Sequence, residues 1–254
     1  MNSLKVIKIG GKVIDDEQKL DTFLKSFASI EGPKILVHGG GSIASKMGER
    51  LGIIPKMIDG RRITDAETLE VITMVYGGLV SKKIVAKLQS YGANAVGLSG
   101  ADLNIIPASK RDTKPIDFGW VGDVEKVNTE WLSEMLNKKV VPVLAPLTHD
   151  GKGNLLNTNA DTIASSVASA LTKIFDTELI FCFEQSGVMN QGKLITEMNL
   201  LLYRHLKDTS VVTDGMIPKI DLGFSALKAN VKQVSIRSFE NVAELESGTK
   251  LISN

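Results

Sequence analysis

The chain has 254 residues, enough for one large α/β domain or two closely merged lobes whose core needs no staples. With 43% hydrophobic and 23% charged residues it has the composition of a globular enzyme, not of a disordered, fibrous or membrane chain. Basic and acidic residues nearly balance, at a net charge of +1, so no global field favours nucleic acid or an anionic membrane, and an anionic ligand has to be held locally.

In chain order, residues 4–9 and 34–37 are short apolar runs that stop at glycines, as buried parallel strands do, with a helical pattern at 20–28 between them. A second helix is expected over 42–51, capped by Ser42 and entered through Gly39-Gly40-Gly41. Residues 56–63 read as a hairpin turning at Asp59-Gly60. Two helical stretches are expected between 65 and 91, broken near Gly77-Gly78, and then a strand at 94–98. Residues 105–109 and 120–127 are polar at alternate positions, which suits a half-exposed antiparallel pair edging the sheet. A buried strand at 140–145 precedes an Ala-rich helix at 162–171, with Asp161 at its entry.

The run 179–183 is a further strand and carries the single cysteine, Cys182, which excludes an intramolecular disulfide and reads as a reduced core thiol. Helices are expected at 198–206, 220–229 and 239–245, and strands at 233–236 and 249–251. The N-terminus lacks a signal-peptide core, and no apolar stretch approaches the ~20 residues of a membrane span, so the expected location is cytoplasmic. The predicted fold class is α/β, one mainly parallel sheet with helices on both faces, and a change of pattern near residue 150 divides it into lobes 1–150 and 151–254.

Several motifs could carry chemistry. Lys8-Ile9-Gly10-Gly11 sets a lysine at the carboxyl end of the first strand, where ligands of open α/β sheets gather; alone, it could equally be a surface lysine. His38-Gly39-Gly40-Gly41 opens a helix, so its amides and the positive helix end make an anion site. It is neither a Walker loop nor the dinucleotide fingerprint, which argues against a dehydrogenase. The oxyanion loop of a lipase-like hydrolase would require a Gly-x-Ser-x-Gly elbow, which this sequence lacks. Arg61 and Arg62 follow the hairpin turn and, on a strand, face opposite sides, so one can offer its planar fork to a carboxylate. Asn157-Thr158-Asn159-Ala160-Asp161 ends in a carboxylate that is either a helix cap or a site residue. Lys219 sits in the first turn of a helix after Thr213-Asp214-Gly215, an unfavourable place for a cation unless an anion is bound.

Together with Gly97-Leu98-Ser99-Gly100 and Gly119-Trp120-Val121-Gly122, these motifs resemble, in order and spacing along nearly the whole chain, the N-acetylglutamate kinases of the amino acid kinase family. The resemblance implies a three-layer α/β/α sandwich, with the N-terminal lobe holding an acyl amino acid and the C-terminal lobe holding ATP with Mg²⁺. It implies a homodimer that takes small-molecule substrates, without nucleic acid or membrane partners. Lys8 and Lys219 resemble the lysines that stabilise the transferring phosphoryl group, and Asp161 the carboxylate that orients both. Gly10, Gly11, Gly40 and Gly41 resemble the backbone donors. Arg62 is similar to the residue that grips the α-carboxylate, Asn157 also grips the acyl amino acid, and Asn159 resembles a second site amide. Gly187, Thr213 and Lys219 fall on the nucleotide side. No dedicated metal ligands are expected, because Mg²⁺ keeps water and phosphate oxygens as its shell. A sibling kinase of the family, or a non-catalytic module of the same fold, are the competing readings.

Two positions depart from the family pattern. Phe183-Glu184 stands where a Thr/Ser-Asp pair is usual, so Glu184 is expected to reach the nucleotide with a longer arm. Arg61 replaces a residue that is more often apolar, which suggests a second carboxylate on the acyl group and thus N-succinylglutamate as an alternative substrate.

Overall fold

Strands form where the sequence runs apolar without interruption, and the alternation of side chains along them feeds two separate cores. Within Ser3–Ile9, Leu4 and Val6 enter one apolar layer and Ile7 and Ile9 the other. Lys8 keeps step with Leu4 and Val6, so it shares their side of the sheet. A computed structural model describes residues 2–58, 61–213, 215–244 and 246–253. The expected hairpin turn at Asp59-Gly60 lies outside the described residues, as do Asp214 and Leu245.

Among the described residues the main sheet has eight strands, in the order Glu197–Met198, Thr249–Leu251, Gln233–Ser238, Asp176–Phe183, Ser3–Ile9, Lys34–His38, Val141–Leu144, Ala95–Leu98. All pairings are parallel except that of Thr249–Leu251 with Gln233–Ser238. One apolar layer lies beneath the helices Thr129–Asn137, Ala160–Leu171, Leu200–Asp208 and Ile217–Lys228. The other lies beneath Glu17–Ser29 and the long helix from Ala66 to Ser90. This is a three-layer α/β/α sandwich around a mainly parallel open sheet.

The first strand is the switch point. Strands up to Leu144 lie on one side of it and those from Asp176 onward on the other, so the chain leaves its carboxyl end toward Lys34–His38 and leaves that of Asp176–Phe183 toward Gln233–Ser238, in opposite directions. A crevice opens at such a place in an open α/β sheet, and Lys8, Gly10 and Gly11 stand at its lip.

The structure redraws several predicted elements. The helix after the glycine run is Gly41–Arg50, with Gly40 as its uncapped start, so Ser42 is not an N-cap. Gly77-Gly78 does not break the long helix. Ala66–Ile72 passes into a π-helix at Thr73–Val80 and on into Ser81–Ser90, because flanking turns packed on the sheet hold the glycines in a widened turn. The pair Ala108–Lys110 and Gly122–Val124 is a separate two-stranded sheet, not an edge of the main one. Its neighbour Trp120 spends its backbone on Thr64 and Asn157 instead. Met198 belongs to a strand and the helix after it is Leu200–Asp208, while among the described residues of the 239–245 segment only the short turn Phe239–Asn241 is helical.

Candidate active site

Three charged side chains meet at the crevice from elements far apart in sequence. The Lys8 Nζ lies 2.7 Å from Asp161 Oδ1, oblique to the hydrogen-bonding direction, and the Lys219 Nζ lies 3.5 Å from Asp161 Oδ2. Asp161 occupies the first turn of Ala160–Leu171 without serving as its cap. That task falls to Asn159, whose Oδ1 accepts the amides of Asp161 at 2.8 Å and Thr162 at 3.1 Å. Asn159 itself is exposed, so its observed role is to free the Asp161 carboxylate to face inward.

Lys219 escapes the unfavourable helix start by folding back, with its Nζ donating to the Gly215 carbonyl at 2.7 Å. The helix that carries it is tied down by Tyr203, whose hydroxyl donates to Asp221 Oδ1 at 2.8 Å. Burial alone would raise the Asp161 carboxyl, but the Lys8 and Lys219 ammonium groups outweigh it and hold the group below the usual carboxylate range. Two cations are thus kept together by one buried anion, an arrangement built to receive further negative charge.

Backbone lines the crevice beside them. The first strand is in register with Lys34–His38, Ile9 opposite His38, so the two glycine turns that follow are adjacent. A Cβ at Gly39 would lie 3.9 Å from the Gly11 amide nitrogen, whereas one at Gly11 would meet nothing within 4 Å. Gly10 donates its amide to the Cys182 carbonyl, and a Cβ there would press on Phe183 at 3.3 Å. His38 is buried, with Nδ1 on the Gly39 carbonyl at 2.8 Å, and desolvation brings its pKa down to about 4. The imidazole is therefore neutral and structural.

Arg62 reaches back from the strand Arg61–Ile63 to the glycine turn. Its Nη2 donates to the Gly41 carbonyl at 2.9 Å and to Ser45 Oγ at 2.7 Å. Arg61 is exposed, and strand alternation turns it to the opposite face. Asn157 joins the same region through Thr64, its Nδ2 donating to Thr64 Oγ1 at 3.0 Å. Tyr76, on the π-helix, is buried beside Gly40, Gly41 and Arg62. Sequence patterns missed Ser45 and Tyr76, since neither belongs to a glycine or charge motif and both act across turns or elements.

The other rim is less tightly built. Glu184 sits just past Asp176–Phe183, 2.5 Å from the Lys19 Nζ and 3.8 Å from the Lys12 Nζ, at the surface. Gly187 is buried, and a Cβ there would stand 2.6 Å from Thr249 Oγ1, so closeness to the neighbouring strand accounts for it. Thr213 is exposed and its carbonyl accepts the Met216 amide. Among the described residues no three His, Cys, Asp or Glu side chains stand together as a metal cluster, and no helix is long and apolar enough to cross a membrane.

Comparisons with known proteins bear on the fold and on what the chain is similar to. Residues 3–238 match the family model described as the amino acid kinase family. The chain is 51% identical to the acetylglutamate kinase of Bacteroides fragilis, over 98% of this chain and 96% of that protein. It is 51% identical to that of Cytophaga hutchinsonii over the full length of both, and 38% identical to that of Methanopyrus kandleri over 95% and 97%. Among solved structures, a Streptococcus mutans protein superimposes with a TM-score of 0.80 at 29% identity over 98% of each chain. A Giardia carbamate kinase shares the fold at a TM-score of 0.67 and 14% identity, over 100% of this chain and 99% of that one.

Proposed function

The chain belongs to the amino acid kinase family, and from that premise we propose that it transfers the γ-phosphoryl group of ATP to the side-chain carboxylate of N-acetyl-L-glutamate. One observation carries the reading: Lys8 and Lys219 meet on Asp161 at the carboxyl ends of the central strands. Relatives about half identical over their whole length bear the name acetylglutamate kinase, which supports the acceptor. A glutamate side chain, with an ordinary pKa of ~4.3, is already an anion at neutral pH, so no general base is required and none of the histidines is needed. One carboxylate oxygen attacks the γ-phosphorus, the bond to the ADP oxygen breaks, and ADP leaves with that electron pair. The barrier is the approach of two anions, and cations lower it.

In this reading Lys8 and Lys219 bind the phosphoryl oxygens and Asp161 keeps both ammonium groups aimed at one point. Gly11, Gly40 and Gly41 lend amides, Arg62 and Asn157 hold the acyl amino acid, and the 1–150 half supplies that side. The 151–254 half supplies ATP binding, with Gly10, Gly187 and Thr213 on the nucleotide rim and Glu184 at its exposed edge, where Lys12 and Lys19 hold it and it adds little to binding. Mg²⁺ enters with the substrate as MgATP, since the buried carboxylate is already taken by lysines. The working unit is a homodimer, as the family resemblance implies, and its proposed location is the cytoplasm. N-Acetylglutamate is favoured over its N-succinyl counterpart because Arg61, which motivated the latter, is exposed and turned from Arg62.

A coupled ADP-release assay over a panel of acylated and free amino acids, with hydroxylamine trapping of the acyl phosphate, tests this. Turnover with N-acetylglutamate and a trapped hydroxamate is expected; ADP release with free glutamate, aspartate or carbamate alone would overturn it.

A further inference from the structure

The π-helix Thr73–Val80 brings a phenol to a place that the reaction chemistry above does not use. Tyr76 is 5% exposed. One edge of its ring lies against the glycine turn: a Cβ at Gly40 would stand 3.2 Å from both Cδ1 and Cε1, so the ring fills the space that a side chain there would take. Its hydroxyl lies beyond, near the next glycine. A Cβ at Gly41 would be 3.8 Å from Tyr76 Oη and 3.9 Å from Arg62 Nη2, so phenol and guanidinium stand on the same side of Gly41. Burial raises the phenol pKa more than the neighbouring Arg62 lowers it, so Tyr76 stays neutral throughout the working range and its oxygen can accept from the guanidinium. π-Segments inside helices commonly mark functional sites, and this one carries the phenol at its middle, against the glycine turn.

We propose that Tyr76 is a positioning residue of the acyl amino acid site, its ring propping Gly40 and its hydroxyl fixing the Arg62 guanidinium beside Gly41. The inference rests on the reading of Arg62 as the group that binds the substrate carboxylate. Arg62 Nη2 donates to Gly41 and Ser45, which leaves the Nη1 and Nε hydrogens for a ligand. A guanidinium bonded to a carbonyl and a hydroxyl and flanked by a phenol has few rotamers left, so it gives up little entropy when the carboxylate arrives. Removing the hydroxyl loosens the fork without changing charge or packing. Removing the ring as well frees the turn that offers amides to the reacting groups.

The test is steady-state kinetics of Tyr76→Phe and Tyr76→Leu with N-acetylglutamate and MgATP, together with thermal melts. Tyr76→Phe is expected to raise KM for the acyl amino acid by about 5–10-fold, the effect of one hydrogen bond to a charged group, leaving kcat, KM for ATP and Tm nearly unchanged. Tyr76→Leu is expected to lower kcat as well, by about tenfold. Because the hydroxyl acts through Arg62, adding Tyr76→Phe to Arg62→Lys should cost no further KM. Unchanged KM in Tyr76→Phe, equal losses toward both substrates, or additive losses in the double variant would overturn the proposal while leaving the kinase reading intact. A wild-type protein inactive with every acyl glutamate would overturn both.

Discussion

Two carboxylates in this molecule each meet two lysines, and they live in opposite worlds. Asp161 lies between Lys8 and Lys219 with its side chain 9% exposed, while Glu184 lies between Lys19 and Lys12 with 35% exposed. Both have pKa values below the ordinary carboxylate range, but for different reasons. For Glu184 the leading cause is the Lys19 hydrogen bond in solvent; for Asp161 burial works first against ionisation and is then overcome by two ammonium groups. The same inventory of charges is therefore a solvated surface cluster in one place and a buried, preorganised cluster in the other. Screening by water makes the first worth little, and its exclusion makes the second both strong and costly to disturb.

The sharpest way to break this comparison is Asp161→Asn, which keeps shape and removes charge. Two ammonium groups then remain together without a counter-ion, and kcat is expected to fall on the order of 10²–10³-fold. Stability should fall by about 3 kcal/mol, the cost of removing one partner from a buried ionic cluster, and a thermal melt will read it. A smaller effect follows from pH. The folded state lowers the Asp161 pKa, so the cluster contributes fully above the unfolded carboxyl value of about 3.9 and its contribution is lost as pH falls through the folded value. The Tm gap between wild type and Asp161→Asn should thus be constant from neutral pH to about pH 5 and shrink below pH 4; a gap that widens in acid would reverse the sign of the assignment. Smallest of all, Glu184→Gln should leave Tm unresolved from wild type and change kcat and KM for ATP by less than about threefold. A loss comparable to that of Asp161→Asn would erase the distinction between the two carboxylates.

The central strands were legible because they are unbroken apolar runs ended by glycine, and because Lys8, Asp161 and Lys219 each stand beside a glycine or capping motif. What was illegible depended on contacts distant in sequence. Gly77-Gly78 reads as a break by local propensity, yet the packed turns on either side carry the helix through it as a π-segment. The 105–127 pair has the alternation of an edge strand, but Trp120 bonds to Thr64 and Asn157, which no periodicity encodes. Which of Asn159 and Asp161 caps the helix is a choice between residues two apart, and only the inward pull of two lysines decides it. Tyr76 carries no motif at all, and its meaning lies entirely in Gly40, Gly41 and Arg62.

The most direct measurement is the single-turnover rate of phosphoryl transfer, by rapid quench with saturating MgATP and N-acetylglutamate, in Lys8→Met and in Lys219→Met. Each variant is expected to fold, to bind MgADP and to transfer on the order of 10²-fold or more slowly than wild type. Transfer within about threefold of wild type in either variant would contradict the claim that both ammonium groups act on the phosphoryl group in transit.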